Sequence, residues 1–370
     1  RMDKTVVLEI ANMEGRYGIE NYLMNMLRNF DFEKVKIHFM SVTPGPFDEE
    51  IKSYGGDIYR VAPLGASFKK VRRHNQEFRK LLTEHPEIQV VHIHGNTAIG
   101  CIDARIANKM GVKKVIVHSH NDGCNNIRSY ILHLIGRLII GKSATTRVAC
   151  SEAAARWMFG KSKESLVLKN AIDVEKYKFT NKKAVELKRE LGIENKKTIG
   201  HIGRMEKQKN HSFILDVFYR IHKEHPETCL MLIGDGSLRQ EITQKAKEME
   251  LEDAIIFIRQ SDRVNEMLQA MDIFLFPSIW EGLGISLVEA QASGLNCVVS
   301  DIIKDEVCVT ELIEKHSLSE GAEKWANVLW SILEANQNKE RSSEKYIKEL
   351  RKAGYDERDA ARYLQEIYIN

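Results

Sequence analysis

A short apolar run, Ile273-Phe274-Leu275-Phe276, stops at Pro277-Ser278 and is followed by Glu281-Gly282-Leu283-Gly284. Such a run, with no polar alternation, reads as a strand buried on both faces of a parallel sheet. Beyond it, Ile285, Leu287, Val288 and Ala290 mark a helix that stops at Gly294, and Cys297-Val298-Val299 is a second apolar strand. Strand, glycine turn, helix and strand make one βαβ unit and commit the surrounding chain to a parallel sheet. The turn sets the backbone N–H groups of residues 282–284 at a helix N-terminus, which attracts anions. Glu281 precedes that helix and Glu289 lies within it. An anion site flanked by two carboxylates suits a ligand with both phosphate and sugar hydroxyls.

The same alternation fills the rest of the chain. Strands are expected at 6–10, 35–42, 58–61, 90–93, 115–117, 148–149 and 166–168, with helices between them. The stretch 170–183 is polar, lysine-rich and unpatterned, and reads as a linker. Strands resume at 198–202, 229–233 and 255–258. After residue 301 the pattern is helical, over 322–333, a charged stretch 339–352, and 358–369. The expected fold class is α/β, with two Rossmann-like parallel-sheet lobes facing a central crevice. The lobes are placed at 1–174, with the helix 356–370 packing back on it, and at 175–355.

At 370 residues the chain exceeds one ordinary core, which agrees with two lobes. A net charge of +3 implies no nucleic-acid partner. The six cysteines form no C-x-x-C pair, which points to buried thiols in a reducing, cytoplasmic setting. Arg1, ahead of Met2, reads as lying outside the natural start, and no leader is expected. No apolar run reaches the roughly 18 residues a spanning helix needs. The nearest, 130–140, carries His133 and Arg137; with Ser129 these recur every fourth residue and give one polar face. Lys69, Lys70, Arg72, Arg73, Arg79, Lys113, Lys114, Arg128 and Lys142 add a basic stripe to the first half. Two readings stay open for 130–140: a helix lying on an anionic membrane surface, or a buried helix with a polar seam.

Other candidate site residues follow strands at their carboxyl ends, where doubly wound sheets bind ligands. Arg204 leaves the strand 198–202, after Gly203, and Lys209 opens the next helix. An arginine fork and a lysine point charge suit phosphate oxygens. Gly234-Asp235-Gly236 forms a simple turn or shapes a pocket floor. Arg259-Gln260 offers a place for a nucleobase or is an exposed charge. Gly15 and Gly18 flank the first strand-to-helix turn without a G-x-G-x-x-G pattern, and could let a substrate approach the backbone. His118-Ser119-His120-Asn121-Asp122 follows strand 115–117. The two-residue spacing is read as putting His118 and His120 on opposite faces, one toward the core and one toward the crevice. His92 and His94 are read the same way. Too few further ligands are in view for a metal site, and none is expected. No G-x-S-x-G, Walker A or Cys–His nucleophile pattern occurs.

Gly203-Arg204, Gln208-Lys209-Asn210, Glu281-Gly282-Leu283-Gly284, Glu289-Ala290, Ala292-Ser293-Gly294 and Asn170-Ala171-Ile172-Asp173 together resemble the family 4 glycosyltransferases. These are retaining, nucleotide-sugar-dependent enzymes of GT-B fold, and the resemblance covers nearly the whole chain. Residues 118–121 and 307–314 resemble the branch that makes capsular polysaccharide and exopolysaccharide. The resemblance implies a metal-independent, hexosyltransferase-type enzyme without a cofactor. It would move a sugar from a UDP-linked donor to a glycan or polyprenyl-linked acceptor, in the cytoplasm or peripherally at the inner face of the plasma membrane through the N-terminal lobe. Arg204 and Lys209 would hold the donor diphosphate and stabilise its departure. Glu281 with Gly282, Leu283 and Gly284 would hold the donor sugar and β-phosphate, and Glu289 the ribose hydroxyls. His120 would face the donor sugar, and Gly18 would line its phosphates or the acceptor. Lys169 and Ala171 stand where the family has Pro and Gly, and the first loop lacks its adjacent glycine pair.

Fixed cations and a helix N-terminus would then do the work of a metal ion against the departing diphosphate. No carboxylate is placed for covalent attack, which favours displacement on one face. Rival readings are a nucleotide-sugar 2-epimerase of the same fold, a synthase with a soluble acceptor, and a non-catalytic nucleotide-sugar sensor. A UDP-sugar incubated alone separates the first from a transferase: an epimer appears, or UDP is slowly released.

Overall fold

Strands β1 (Thr5–Ile10), β2 (Val35–Ser41), β3 (Ile58–Arg60), β4 (Val90–Gly95), β5 (Lys114–Ser119), β6 (Thr146–Ala149) and β7 (Leu166–Val167) form a parallel sheet in the order β3-β2-β1-β4-β5-β6-β7. A second parallel sheet contains β8 (Lys197–Ile202), β9 (Thr228–Ile233), β10 (Ile255–Ile258), β11 (Ile273–Phe276), β12 (Cys297–Ser300) and β13 (Ile313–His316), ordered β10-β9-β8-β11-β12-β13. This computed structural model describes residues 4–14, 18–65, 67–123, 127–161, 164–259 and 263–370. The chain divides into two compact units, Arg1–Ala171 with Glu357–Asn370, and Ile172–Asp356. Each holds one sheet with helices on both faces, the arrangement that consecutive βαβ crossovers produce.

In the first sheet, Val91, Ile93, Val115 and Val117 face one core, with Phe78, Leu82 and Ala104. Val7, Val90 and Ile116 face the other, with Leu23, Met26, Ala361 and Leu364. The helix Glu357–Ile369 therefore belongs to this unit, and Gln365 fixes it by accepting from the Asp31 N–H at 2.7 Å. In the second unit β13 was not visible in the sequence. Ile313-Glu314-Lys315-His316 pairs only with β12 and carries charges, so no apolar run announces it. The stretch read as a linker is also ordered. Ile172, Val174 and Tyr177 are buried in the second core, spaced to suit the short 3-10 turn Val174–Tyr177. No disulfide joins the described cysteines, and Cys124 lies outside the described residues.

The charged stretch 339–352 contains one cation turned onto the backbone, Arg341, which is partly buried. The Arg341 guanidinium donates to the carbonyls of Ser293 (2.7 Å), Met271 (2.8 Å) and Leu268 (3.0 Å), and to the Ser293 hydroxyl. Its plane lies 4.2 Å from the Phe179 ring. It thus satisfies carbonyls that the helices Val264–Ala270 and Ile285–Ala292 leave orphaned at their C-terminal ends. Burial pulls its guanidinium down to about 9. Arg341→Met should leave those carbonyls buried and unpaired and destabilise the second unit by about 3 kcal/mol or more. A lowered urea midpoint checks this; an unchanged midpoint would show that water replaces the guanidinium at no cost.

Candidate functional site

In the second sheet, strand order reverses between β8 and β11, so the loops leaving these two strands diverge and open a cleft at their carboxyl ends. The β8 loop is anchored to its neighbour by the backbone: Gly203 N–H donates to Ile233 O (2.9 Å) and Met205 N–H to Asp235 O (3.0 Å). Gly234 has φ of 145°, and a Cβ there would stand 2.0 Å from the Gly203 carbonyl oxygen. Gly234 is therefore a close-approach glycine and not a simple turn.

Two further bonds staple the β8 loop to the β11 loop. Asn210, at φ 59°, donates from Nδ2 to Pro277 O (3.1 Å), and Ile279 N–H donates to Gln208 O (2.8 Å). This brings together residues 72 positions apart: Lys209 Nζ donates to Glu281 Oε1 at 2.5 Å. The Ser278 hydroxyl donates to the same oxygen at 2.8 Å. Lys209 Nζ also lies 4.7 Å from the Phe276 ring centre. The paired side chains are only 15% and 7% exposed. Gly203 makes room for the lysine stem, since a Cβ there would meet it at 3.0 Å. Below the pair, buried His201 holds the Leu275 carbonyl through Nδ1 at 2.8 Å. His211 is pushed down to about 4 by burial and by Lys209.

Gly284 adopts φ 75° immediately before the helix Ile285–Ala292. Among the described residues, nothing accepts from the backbone N–H groups of residues 283–286. One helix turn on, Glu289 accepts a hydrogen bond from the Tyr177 hydroxyl at 2.7 Å. Burial pushes the Glu289 carboxyl up to about 7, against the opposing pull of Tyr177 and Lys176. Tyr177 was missed in the sequence because it sits in the stretch read as a linker.

The structure does not bring Arg204 into this group. Its side chain is 81% exposed, and its ion-pair partner among the described residues is Glu206 at 3.9 Å. Arg259 is exposed at the end of β10, and Gln260 lies outside the described residues. Gly15 also lies outside them, while Gly18 is the first residue of the helix Gly18–Arg28.

The first sheet corrects the histidine reading. His118 and His120 do not point to opposite faces; their rings stack with centroids 4.2 Å apart. His92 and His94 are equally close, at 4.0 Å. Residues two apart on a strand share a face, and it is successive residues that alternate. Val91, Ile93 and Val117 therefore take one face, and His92, His94 and His118 the other. Parallel register then aligns Glu9 with His92, and His94 with His118. The result, at the strand-order reversal between β1 and β4, is a buried polar cluster around Glu9.

Glu9 Oε2 lies 2.8 Å from His94 Nε2, and His94 Nδ1 lies 2.8 Å from His120 Nε2. Tyr368, on the last helix, donates to Glu9 Oε1 at 2.5 Å and meets His92 Nδ1 at 2.7 Å. His92 Nε2 meets His118 Nδ1 at 3.2 Å. Burial would raise the Glu9 carboxyl, but His92 and His94 outweigh it and hold Glu9 below the usual carboxylate range. Burial holds His94 down at about 4 and keeps His118 and His120 well below the ordinary imidazole value. An ionised Glu9 only accepts, so neutral His94 donates from Nε2 and accepts at Nδ1 from His120 Nε2–H. His120 is left with a bare Nδ1. The expectation that ligands are too few for a metal also fails: His92, His94 and His118 could supply three nitrogens within 4.8 Å of one another. In the structure His92 and His94 use both ring nitrogens for hydrogen bonds, to Tyr368, His118, Glu9 and His120, while His118 Nε2 has no hydrogen-bond partner among the described residues. Glu9 and Tyr368 were missed, although an acid inside the apolar run Val6-Val7-Leu8-Glu9-Ile10 was a visible signal.

Comparison with known proteins agrees with this architecture. Residues 184–351 match the family Glycosyl transferases group 1, and residues 17–176 match Glycosyltransferase Family 4. The chain is 33% identical to the putative glycosyltransferase EpsF of Bacillus subtilis, over 98% of this chain and 96% of that one. It is 26% identical to the Escherichia coli UDP-Gal:alpha-D-GlcNAc-diphosphoundecaprenol alpha-1,3-galactosyltransferase, over 60% of each. The structure of Anabaena Alr3699/HepE in complex with UDP superposes with a TM-score of 0.79 at 16% identity, covering 98% of this chain and 99% of that one. That likeness shows the fold, GT-B.

The buried histidines make stability depend on pH. His94, His118 and His120 stay neutral in the folded protein, while the unfolded chain takes up protons below about 6.5. Stability is therefore full above that value and falls as pH drops toward 4; His94 alone removes about 3 kcal/mol across the window. His74 and His316, raised against burial by Asp103 and by Glu314 with Glu320, act in the opposite sense. Urea midpoints at pH 7.5 and 5 should differ in this direction, and His94→Gln should flatten the dependence. A midpoint that rises on acidification would contradict it.

Proposed function

Because the chain belongs to the group 1 and family 4 glycosyltransferases, we propose that it moves a sugar from a UDP-sugar to a glycan or polyprenyl-linked acceptor in surface polysaccharide synthesis, with retention at the anomeric carbon. The observation that carries this reading is the enclosed Lys209–Glu281 pair, set with Ser278 beside the unpartnered N–H groups at a helix start. The Escherichia coli relative's name specifies a UDP-Gal donor and a diphosphoundecaprenol acceptor, and HepE binds UDP and UDP-glucose. Both support the donor class.

In this reading the bond from the anomeric carbon to the β-phosphate oxygen breaks, and its electron pair stays on the diphosphate. Lys209 and the N–H groups of residues 282–284 meet that charge without a metal ion, and Arg204 swings its exposed arm onto another phosphate oxygen. Glu281, held by Ser278 and Lys209, takes hydroxyls of the donor sugar. The acceptor hydroxyl attacks the face that the diphosphate leaves, and its proton passes to the leaving phosphate oxygen. Glu289 accepts from the ribose hydroxyls. Gly203 and Gly234 let the backbone approach the phosphates, and Arg259 lies by the base. On the first unit, the bare Nδ1 of His120 accepts a hydroxyl of the sugar, oriented through His94 by Glu9, and Gly18 lines the phosphates or the acceptor. The reaction belongs to the cytoplasm or the inner face of the plasma membrane.

Lys209→Ala and Arg204→Ala should each lower turnover of a UDP-sugar about 100-fold or more, the usual effect of losing one transition-state charge contact. The assay is run in EDTA on folded protein; Arg204→Ala, which removes an exposed arm, should keep the parent's melting curve, whereas Lys209→Ala, which strands Glu281, should lower it. Near-parental turnover in both variants would remove the diphosphate assignment. UDP binding should also weaken as pH falls below about 7, because protonation of Glu289 turns one of its acceptor positions into a donor and removes its charge. Calorimetry between pH 6 and 8.5 measures this, and Glu289→Gln should abolish the dependence.

A further inference from the structure

Glu9 is a buried negative charge with no lysine or arginine paired to it among the described residues. Its contacts are His92 at 3.2 Å, His94 at 2.8 Å and the Tyr368 hydroxyl. Buried charges are normally paired with an opposite charge or coordinate a metal. Hydrogen-bond accounting shows what Glu9 does to its neighbours. Tyr368 gives its proton to Glu9, so the phenol oxygen accepts from Nδ1–H of His92 at 2.7 Å. His94 gives its Nε2–H to Glu9. As neutral rings, His92 and His94 then carry their lone pairs on Nε2 and Nδ1. Those lone pairs meet His118 Nδ1 at 3.2 Å and His120 Nε2 at 2.8 Å. His118, which donates from Nδ1, has a lone pair on Nε2 that no described group meets. The hydroxyl of Tyr22, whose ring stands 5.4 Å from that of His118, is also buried without a partner.

This is the tautomer pattern of metal-ligating histidines: a carboxylate holds one N–H and so aims the lone pair of the other nitrogen. One nitrogen from each of His92, His94 and His118 lies within 4.8 Å of the other two. Parallel register sets this up, since His94 pairs with His118 across β4 and β5, and His92 shares their face. Imidazole nitrogens held about 2.1 Å from one tetrahedral ion stand about 3.3 Å apart. The 3.2 Å contact between His92 and His118 already has that spacing. His94 closes the remaining gap by side-chain rotation. Imidazole ligands select zinc, copper or nickel over magnesium and calcium, which take oxygen. His120, immediately after β5, is the least buried of the four rings and gives an ion its way in.

We propose that His92, His94 and His118 form a site for one divalent transition-metal ion of the zinc, copper and nickel class, with Glu9 as the carboxylate behind two of its ligands. The ion brings the positive charge that Glu9 lacks. It also takes the lone pair that His94 otherwise offers to His120, so a bound ion and a correctly set His120 exclude each other. The site is therefore inhibitory, which agrees with turnover in EDTA. The binding does not depend on the proposed sugar transfer; only the inhibition rests on that reading.

The test uses the full chain, stripped with EDTA, desalted, and titrated with zinc against a chromophoric chelator. One ion per chain is expected, and cobalt(II) in its place should give the intense visible bands of a four-coordinate site. His118→Gln should lower the affinity about 100-fold or more, at least the cost of losing an outer partner of a metal ligand. His316→Gln, which removes an imidazole held between Glu314 and Glu320 in the second unit, should leave the affinity unchanged. A crystal of the parent soaked in zinc should show anomalous density between the three rings, a check that needs no substitution. No bound ion, equal affinity in His118→Gln, or density only elsewhere overturns the proposal. Zinc should also lower turnover of a UDP-sugar, and EDTA should restore it. A site that fills without this loss would refute the role given to His120 and not the site.

Discussion

A lysine ammonium and a carboxylate stand 2.5 Å apart in the second unit, largely out of water, and the loops around them are built to hold them there. Desolvating two charges is repaid only when their geometry is fixed and their remaining bonds are met. The fixing is done by the backbone. Asn210 and Gln208 tie the lysine's loop to the loop of the glutamate, Gly203 clears the path of the lysine stem, and Gly234 lets two strand ends touch. Remove the strand-order reversal between β8 and β11 and these loops would not meet. The pair follows from topology before it follows from chemistry.

The first unit meets the same constraint with other residues. Its strand order reverses between β1 and β4, and again a carboxylate lies buried at the reversal, Glu9. Its partners are imidazoles and a phenol. A buried imidazole can satisfy a carboxylate by donating one N–H while staying neutral, so this cluster carries one charge where Lys209 and Glu281 carry two. The difference suits the roles proposed for the two clusters. A departing diphosphate needs a permanent cation; a sugar hydroxyl needs only an acceptor of fixed orientation, which the chain Glu9–His94–His120 sets.

What the sequence disclosed follows the same division. Lys209, Glu281 and Glu289 were legible because each stands at the end of an unmistakable apolar strand or on the helix after it, where parallel topology dictates the site. The two-sheet fold was legible for the same reason. The histidine cluster was not, because its members come from β1, β4, β5 and the last helix, with Glu9 and Tyr368 at opposite ends of the chain. Register, which no single strand encodes, brings them together. Facing was also misjudged, since strand positions i and i+2 share a side. Arg341 was hidden among lysines and glutamates, from which only its bonds to three backbone carbonyls set it apart. Arg204 was legible as a phosphate-type residue by position, yet its side chain lies in solvent: strand ends determine where a backbone goes, not where a long side chain rests.

The helix Ile127–Ser143 shows the limit of pattern reading most sharply. Periodicity tells which residues share a face; it does not tell which face turns inward. Here the inward choice is made by two contacts that hydrophobicity does not score. Gly136 permits backbone approach to Ala98 and Ile99, and His133 fills both of its hydrogen-bonding positions with the backbone. A buried imidazole so satisfied costs little, whereas turning the helix over would strand its nitrogens and put Leu138 or Ile135 where only a glycine fits. Ile131, Leu134, Ile135 and Leu138 are outside because the inside was already specified.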